Sequence, residues 1–169
     1  MEEFDRFEEH MAKLILKPKL YMLIGVPGSG KSTWAANQDW AADCAYISTD
    51  TYVEEHAKKV GKTYTEVFND VMGDAVAHML DSVLIACSQE QDIIWDQTST
   101  TIATRAKKLR MLPNYHAIAV VFPTPYPDEL WRRLDSRPGK VIPEVIVDSM
   151  IVKWEEPTEE EGFHEIWRI

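Results

Sequence analysis

Short apolar runs alternate with longer amphipathic stretches along the chain, regularly enough to place most elements. Residues 19–24 form an apolar run that stops at Gly25, the length and boundary of a buried strand. Residues 44–48, 93–95 and 116–122 read the same way, and the third of these four runs leads straight into Asp96. Between them the apolar positions fall at helical spacing. A helix is predicted over 31–38, and another over 51–60, stopped by Gly61. Thr63 and Glu66 have capping-box spacing ahead of a stripe at Val67, Val71, Ala75, Met79 and Val83. Residues 101–111 predict a further helix, and Pro127 and Pro143, each followed by an acid, mark two more starts. Phe4, Phe7, Met11, Leu14 and Ile15 predict an amphipathic helix within residues 1–18, and 165–168 a last strand. Strands alternating with helices predict an α/β fold whose parallel sheet is covered on both faces. No linker or repeat divides residues 1–169, so a single domain is expected.

Composition narrows this picture. At 45% hydrophobic residues the chain can bury a sizeable core. No apolar run approaches the roughly 20 residues of a membrane span, and the N-terminus is acidic where a secretory leader is basic. The expectation is a cytoplasmic protein (in the host cytoplasm, if encoded by a phage) with no membrane partner. Cys44 and Cys87 lack metal-type spacing and read as small core residues. The net charge of −10 is concentrated at the ends, with −4 in residues 1–10 and −5 in an acidic tail at 154–169, which leaves −1 for the body. That body holds two cationic clusters, one from Arg105 to Arg110 and one from Arg132 to Lys140. An extensive nucleic-acid surface is therefore not expected, whereas a local phosphate site is compatible with the charge.

The chemistry is carried by Gly25-Val26-Pro27-Gly28-Ser29-Gly30-Lys31-Ser32, a complete G-x-x-x-x-G-K-[ST] motif after a strand and before a helix. Glycines let successive N–H groups turn toward phosphates, and the following helix start adds its positive dipole end. Lys31 can reach the β- and γ-phosphates of ATP, and the Ser32 hydroxyl can ligate Mg²⁺. Asp50 follows the second strand, at the sheet edge where α/β folds bind ligands, and fits two roles. It can accept the proton of an attacking hydroxyl, or serve as a helix N-terminal acid favoured by the dipole. Asp96 closes the third strand as a metal-orienting acid would. Arg133 and Arg137, one helical turn apart before Pro138-Gly139-Lys140, fit a mobile lid that neutralises phosphate charge, or a plain basic helix end. Tyr52 and Tyr64 can stack a base, although residues so placed are commonly ordinary packing.

These segments resemble the kinase domain of phage polynucleotide 5′-kinase/3′-phosphatase. The likeness spans most of 20–153 and is strongest in Ile24-Gly25-Val26-Pro27-Gly28-Ser29-Gly30-Lys31-Ser32-Thr33-Trp34-Ala35 and Arg137-Pro138-Gly139-Lys140-Val141-Ile142-Pro143. Asp50-Thr51-Tyr52 and Ile93-Ile94-Trp95-Asp96 extend it. The resemblance implies a five-stranded parallel P-loop kinase fold of strand order 2-3-1-4-5. It implies ATP held by Gly25, Pro27, Gly28, Ser29, Gly30, Lys31, Ser32 and Thr33, with Arg133 and Arg137 from a lid at 132–142. Mg²⁺ would lie on Ser32 and Asp96, and Asp50 would be the general base, with Lys31 and Arg137 sharing the catalytic work. Two departures stand out. The family's arginine three residues after the base, which holds the acceptor's phosphate, is Val53 here, and nothing matches the phosphatase D-x-D motif. Restoring the charge at 53 is accordingly expected to tighten binding of 3′-phosphorylated acceptors.

Three functions fit. The first is an ATP-dependent kinase for the 5′-hydroxyl of a polynucleotide end or nucleotide. The second is a kinase for another hydroxyl, on a nucleoside, a modified base in DNA or a small metabolite. The third is an ATP-binding switch. The Asp50 and lid-arginine pattern favours transfer over switching. Val53 moves weight from the first reading toward the second, and the first stays ahead by a modest margin.

Overall fold

Five strands line up in parallel in the order β2-β3-β1-β4-β5, which is the expected order. They are β1 (Lys19–Ile24), β2 (Ala45–Ile47), β3 (Ile93–Asp96), β4 (His116–Val121) and β5 (Glu165–Arg168). The computed structural model describes residues 6–8, 11 and 17–169, so most of the amphipathic segment expected within 1–18 lies outside the described residues. Register decides where the chemistry gathers. Leu23 is opposite Asp96, Trp95 opposite Ile47, and Ile24 opposite Val121. The P-loop, the acid of β3 and the turn after β2 therefore leave the sheet at one carboxyl edge, where such sheets bind ligands.

Local chemistry sets the helices. They are α1 (Lys31–Ala36), α2 (Thr49–Val60), α3 (Tyr64–Ser88), α4 (Ile102–Met111), α5 (Pro127–Asp135) and α6 (Glu144–Val152). Ser48 caps α2 by accepting the Asp50 N–H, and Gly61 ends it in the left-handed conformation. Thr63 and Glu66 make the full capping box of α3. Thr101 caps α4, Pro127 opens α5, and Pro143 stands one residue ahead of α6.

β1 alternates between two cores. Leu20, Met22 and Ile24 pack with Met79 and Val83 of α3, while Tyr21 and Leu23 pack with Ala35 of α1 and with Phe122. Two smaller clusters position the site. Val53 and Ala57 interlock with Val67, Val71 and Ala75, fixing α2 against α3. Val26 of the P-loop is buried among Leu130, Leu134 and Val147, so α5 and α6 are anchored to the loop itself. Each such burial contributes roughly 1.5–3 kcal/mol.

Two features bear on the expectations from composition. With 25 residues and a mean hydropathy of 1.3 in its most apolar window, α3 is long and apolar enough to cross a membrane by length and composition. Its Val67–Val83 stripe is instead packed on α2 and the sheet. The cationic cluster at 105–110 is divided, with Lys107 and Arg110 exposed and Arg105 and Lys108 buried. Arg105 is fully buried and makes a two-pronged bond to Glu161, both contacts at 2.8 Å. Lys108 is buried against Ser99 at 2.5 Å. The acidic tail supplies the partner, since it delivers Glu161 and then strand β5 to the body.

Candidate active site

The P-loop curls as its glycines allow. Gly28 has φ +84°, and a Cβ there would stand 2.9 Å from Leu130 Cδ1, so both conformation and space require glycine. Gly30, at φ +98°, leads directly into α1. The Gly25 N–H donates to the Thr98 carbonyl at 2.9 Å, which ties the loop to the segment after β3. Lys31 is buried and donates from Nζ to the carbonyls of Gly25 and Val26, 2.9 Å each. Burial, assisted by Arg137 and Lys140 and opposed by Asp96 and Asp50, pushes its pKa down to about 8. Ser29 Oγ is buried without a hydrogen-bond partner among the described residues.

Asp96 is reached from two sides. Ser32 Oγ donates to its Oδ2 at 2.6 Å, and the Tyr46 hydroxyl of β2 donates to the same oxygen. The Tyr46 phenol is pushed well above its usual range by burial and by this bond. Ser32 and Asp96 are hard oxygen donors of the kind Mg²⁺ takes, usually with few protein ligands beside substrate phosphates. Among the described residues no group of three His, Cys, Asp or Glu comes together as a larger metal cage.

Opposite the P-loop, Asp50 stands in the first turn of α2. Ser48 already caps that helix, and the Asp50 carboxylate turns to other partners. Oδ1 accepts from the Tyr64 hydroxyl at 2.6 Å, and Oδ2 accepts from Lys140 Nζ at 2.6 Å. Burial would raise this carboxyl, but Lys140, Tyr64 and Arg137 outweigh it and hold the group below the usual range. Lys140 also reaches Glu54 at 3.4 Å and lies 4.1 Å from the centre of the Tyr64 ring. The loop that carries it is docked on the start of α3, with Thr65 N–H donating to the Gly139 carbonyl and Val141 N–H to Thr65 Oγ1. This loop is thus folded over the acid.

One cavity of about 700 Å³ joins these groups. Pro27, Gly28, Gly30, Lys31, Ser32, Thr33, Asp50, Asp96 and Arg137 all line it, and Gly25 and Ser29 belong to the same loop. Arg133 does not line it. Its guanidinium bonds to Glu129 at 2.6 Å and to the Gly28 carbonyl at 3.2 Å, bracing the P-loop from outside. Val53 is also elsewhere, fully buried between α2 and α3, so an arginine there could not reach an acceptor without opening that interface. Arg105, a possible substitute cation, is held by Glu161. Tyr52 packs against His78, whereas Tyr64 belongs to the site. Tyr46 and the role of Lys140 escaped the sequence reading. A tyrosine in a three-residue strand carries no motif, and Lys140 had been one charge in a basic run.

The model of the AAA domain family matches residues 20–157, more than three-quarters of the chain. The chain belongs to the AAA domain family. No curated protein matches it by sequence. Among solved structures, this AAA domain is similar to a putative kinase from Chloroflexus aurantiacus. The TM-score is 0.66 at 16% identity, over 90% of this chain and 85% of that one. A gluconokinase from Sinorhizobium meliloti gives 0.53 at 16% identity, over 90% and 82%. The Pnkp1/Rnl/Hen1 complex gives 0.53 at 21% identity, over 75% of this chain and 42% of the other. These likenesses establish a P-loop kinase-like fold for the AAA domain.

Proposed function

We propose that this AAA domain is an ATP-dependent kinase that transfers the γ-phosphoryl group to a hydroxyl of a small molecule. The observation that carries the reading is the single cavity in which Lys31 and Arg137 face the Asp50 carboxylate. The P-loop fits a nucleotide: Gly28 and Gly30, both at positive φ, turn the backbone so that its N–H groups are free for phosphates, and both line the cavity. Ser32 and Asp96 would hold Mg²⁺, which when bound neutralises charge on the β- and γ-phosphates.

The protein's own groups then divide the work. Lys31 and Arg137 supply positive charge to the transferring group. Asp50, already ionised and oriented by Tyr64 and Lys140, takes the proton of the acceptor hydroxyl as its oxygen attacks the γ-phosphorus. The bond from that phosphorus to the bridging oxygen breaks, and ADP leaves. Arg133 keeps the P-loop in shape through the Gly28 carbonyl. A polynucleotide 5′-end is the less favoured acceptor, because position 53 carries no charge and faces the core. A slow ATP-hydrolysing switch would leave the Asp50, Tyr64 and Lys140 arrangement without a use.

The test is incubation with labelled ATP and a panel of 5′-hydroxyl DNA and RNA, nucleosides, sugars and hydrophobic alcohols, with Lys31→Ala as control. Label on at least one acceptor, lost in the control, is expected. Hydrolysis of ATP with no acceptor labelled would return the protein to the switch class.

A further inference from the structure

The cavity has two unlike halves. Its charged lining residues are Lys31, Asp50, Asp96, Arg137 and Lys140, and the first four belong to the P-loop end. The other end is built from the first turns of α3, residues 141–143 and α6, and contributes no charged side chain beyond Lys140, which sits at its border over the Tyr64 ring. Its wall is Tyr64, Phe68 and Met72, each four residues after the last on α3, facing Val141, Ile146 and Met150. Tyr64 and Phe68 lie with ring centres 5.5 Å apart, tilted by 39°. The core uses only the backs of Tyr64, Met72 and Met150; Phe68 is 37% exposed, Ile146 46% and Val141 71%, whereas neighbouring Val67, Val71 and Val147 are buried. α3 therefore carries a second apolar stripe, one that leaves Phe68 open to the cavity and ends at the proposed base through the Tyr64 hydroxyl.

Polar recognition is scarce there. Thr65 Oγ1 is engaged by the Val141 N–H, which leaves the Asn69 amide as the one other hydrogen-bonding side chain of that wall. Lys140 is held by Asp50 and Glu54, and Lys31 lies in the P-loop, bonded to the Gly25 and Val26 carbonyls, away from this wall. A phosphorylated acceptor would bury its charge against hydrocarbon, and a sugar would leave several hydroxyls unpaired. A flat apolar body meets neither cost and gains the burial of both surfaces.

Resting on the kinase reading, we infer that the acceptor is an uncharged alcohol carrying a hydrophobic ring system. The ring lies between Phe68 and Met72 on one side and Val141 and Ile146 on the other. The hydroxyl reaches Asp50, gives up its proton there and takes the γ-phosphoryl group, as the bond from γ-phosphorus to ADP breaks.

The experiment uses naphthylethanol as probe, with gluconate and adenosine 3′-phosphate as comparators, in wild type, Phe68→Ala and Ile146→Asn. Both substituted side chains are partly exposed, and melting curves check that each variant is folded. Transfer from ATP and naphthylethanol fluorescence are both recorded. The expected result is a kcat/KM for naphthylethanol at least tenfold above either comparator. Each substitution should weaken naphthylethanol binding roughly ten- to a hundredfold, as loss of a buried apolar side chain implies, with ATP affinity nearly unchanged. Preference for gluconate or the nucleotide, or naphthylethanol binding indifferent to both substitutions, would overturn the inference while the kinase stood. Substitution-sensitive binding with no transfer to any acceptor would support the apolar site and remove the kinase reading instead.

Discussion

Lys31 and Asp50 line one cavity, and in the proposed reaction they act on donor and acceptor, so their substitutions should fail differently. Lys31→Ala removes charge from the phosphates, so transfer is expected to vanish while circular dichroism and melting stay near wild type. Asp50→Asn should lower kcat by about 10²–10⁴ with ATP affinity little changed, as measured by steady-state kinetics beside nucleotide titration. Because its neighbours hold Asp50 below the usual carboxylate range, it stays ionised through that range, and kcat/KM should show no acid limb there. Lys108 offers a stability measurement. It is buried over the Trp95 ring, bonded to Ser99, with Asp96 and Lys31 the charges that act on it, and burial pushes its pKa down to about 7. The unfolded chain keeps this proton up to the ordinary lysine value while the native state releases it from about pH 7, so stability rises with pH across that window. Each unit of depression corresponds to about 1.4 kcal/mol at most. Lys108→Met should flatten the rise in urea midpoints, leaving the smaller contribution of Lys31, which has the same sign.

At the scale of elements, the helices show what the sequence could and could not disclose. Thr63 with Glu66, Gly61 and Pro127 are local signals, and the structure places their helix ends where those residues predict. Asp50, Asp96 and the P-loop were legible because strand ends in a parallel sheet share an edge. Val53 was misjudged because its side chain's direction depends on how α2 meets α3, which no local pattern encodes. The consequence reverses the earlier expectation. Val53→Arg would bury an unpaired charge, so it should destabilise the fold by roughly 3 kcal/mol or more in urea titration, without improving 3′-phosphate binding. The lid is more forgiving. Gly139 sits at φ +67° with Thr63 in the way of any Cβ, at 2.9 Å, so Gly139→Ala should shift the loop and slow transfer while melting changes little. ATP should protect residues 137–142 from protease in wild type, and less in Arg137→Ala.

Across the whole molecule, acids and bases far apart in sequence complete one another. Net charge places −5 in the tail, and one of those acids, Glu161, neutralises the fully buried Arg105 before the tail supplies the edge strand β5. That pairing was illegible because a count of charges says nothing of which ones meet. Glu161→Ala should therefore cost on the order of 3–5 kcal/mol, read from urea unfolding, since it strands a buried cation. The same logic gives the Asp50–Lys140 bond a historical dimension. The two residues are ninety positions apart, and Lys140 is only 11% exposed. A lineage that lost the acid would keep a sequestered cation without its counter-ion, and one that lost the lysine would free the carboxylate from its tether. The two sites should then drift as a pair, and reversing both charges together should recover folding that either reversal alone impairs, yet never recover turnover.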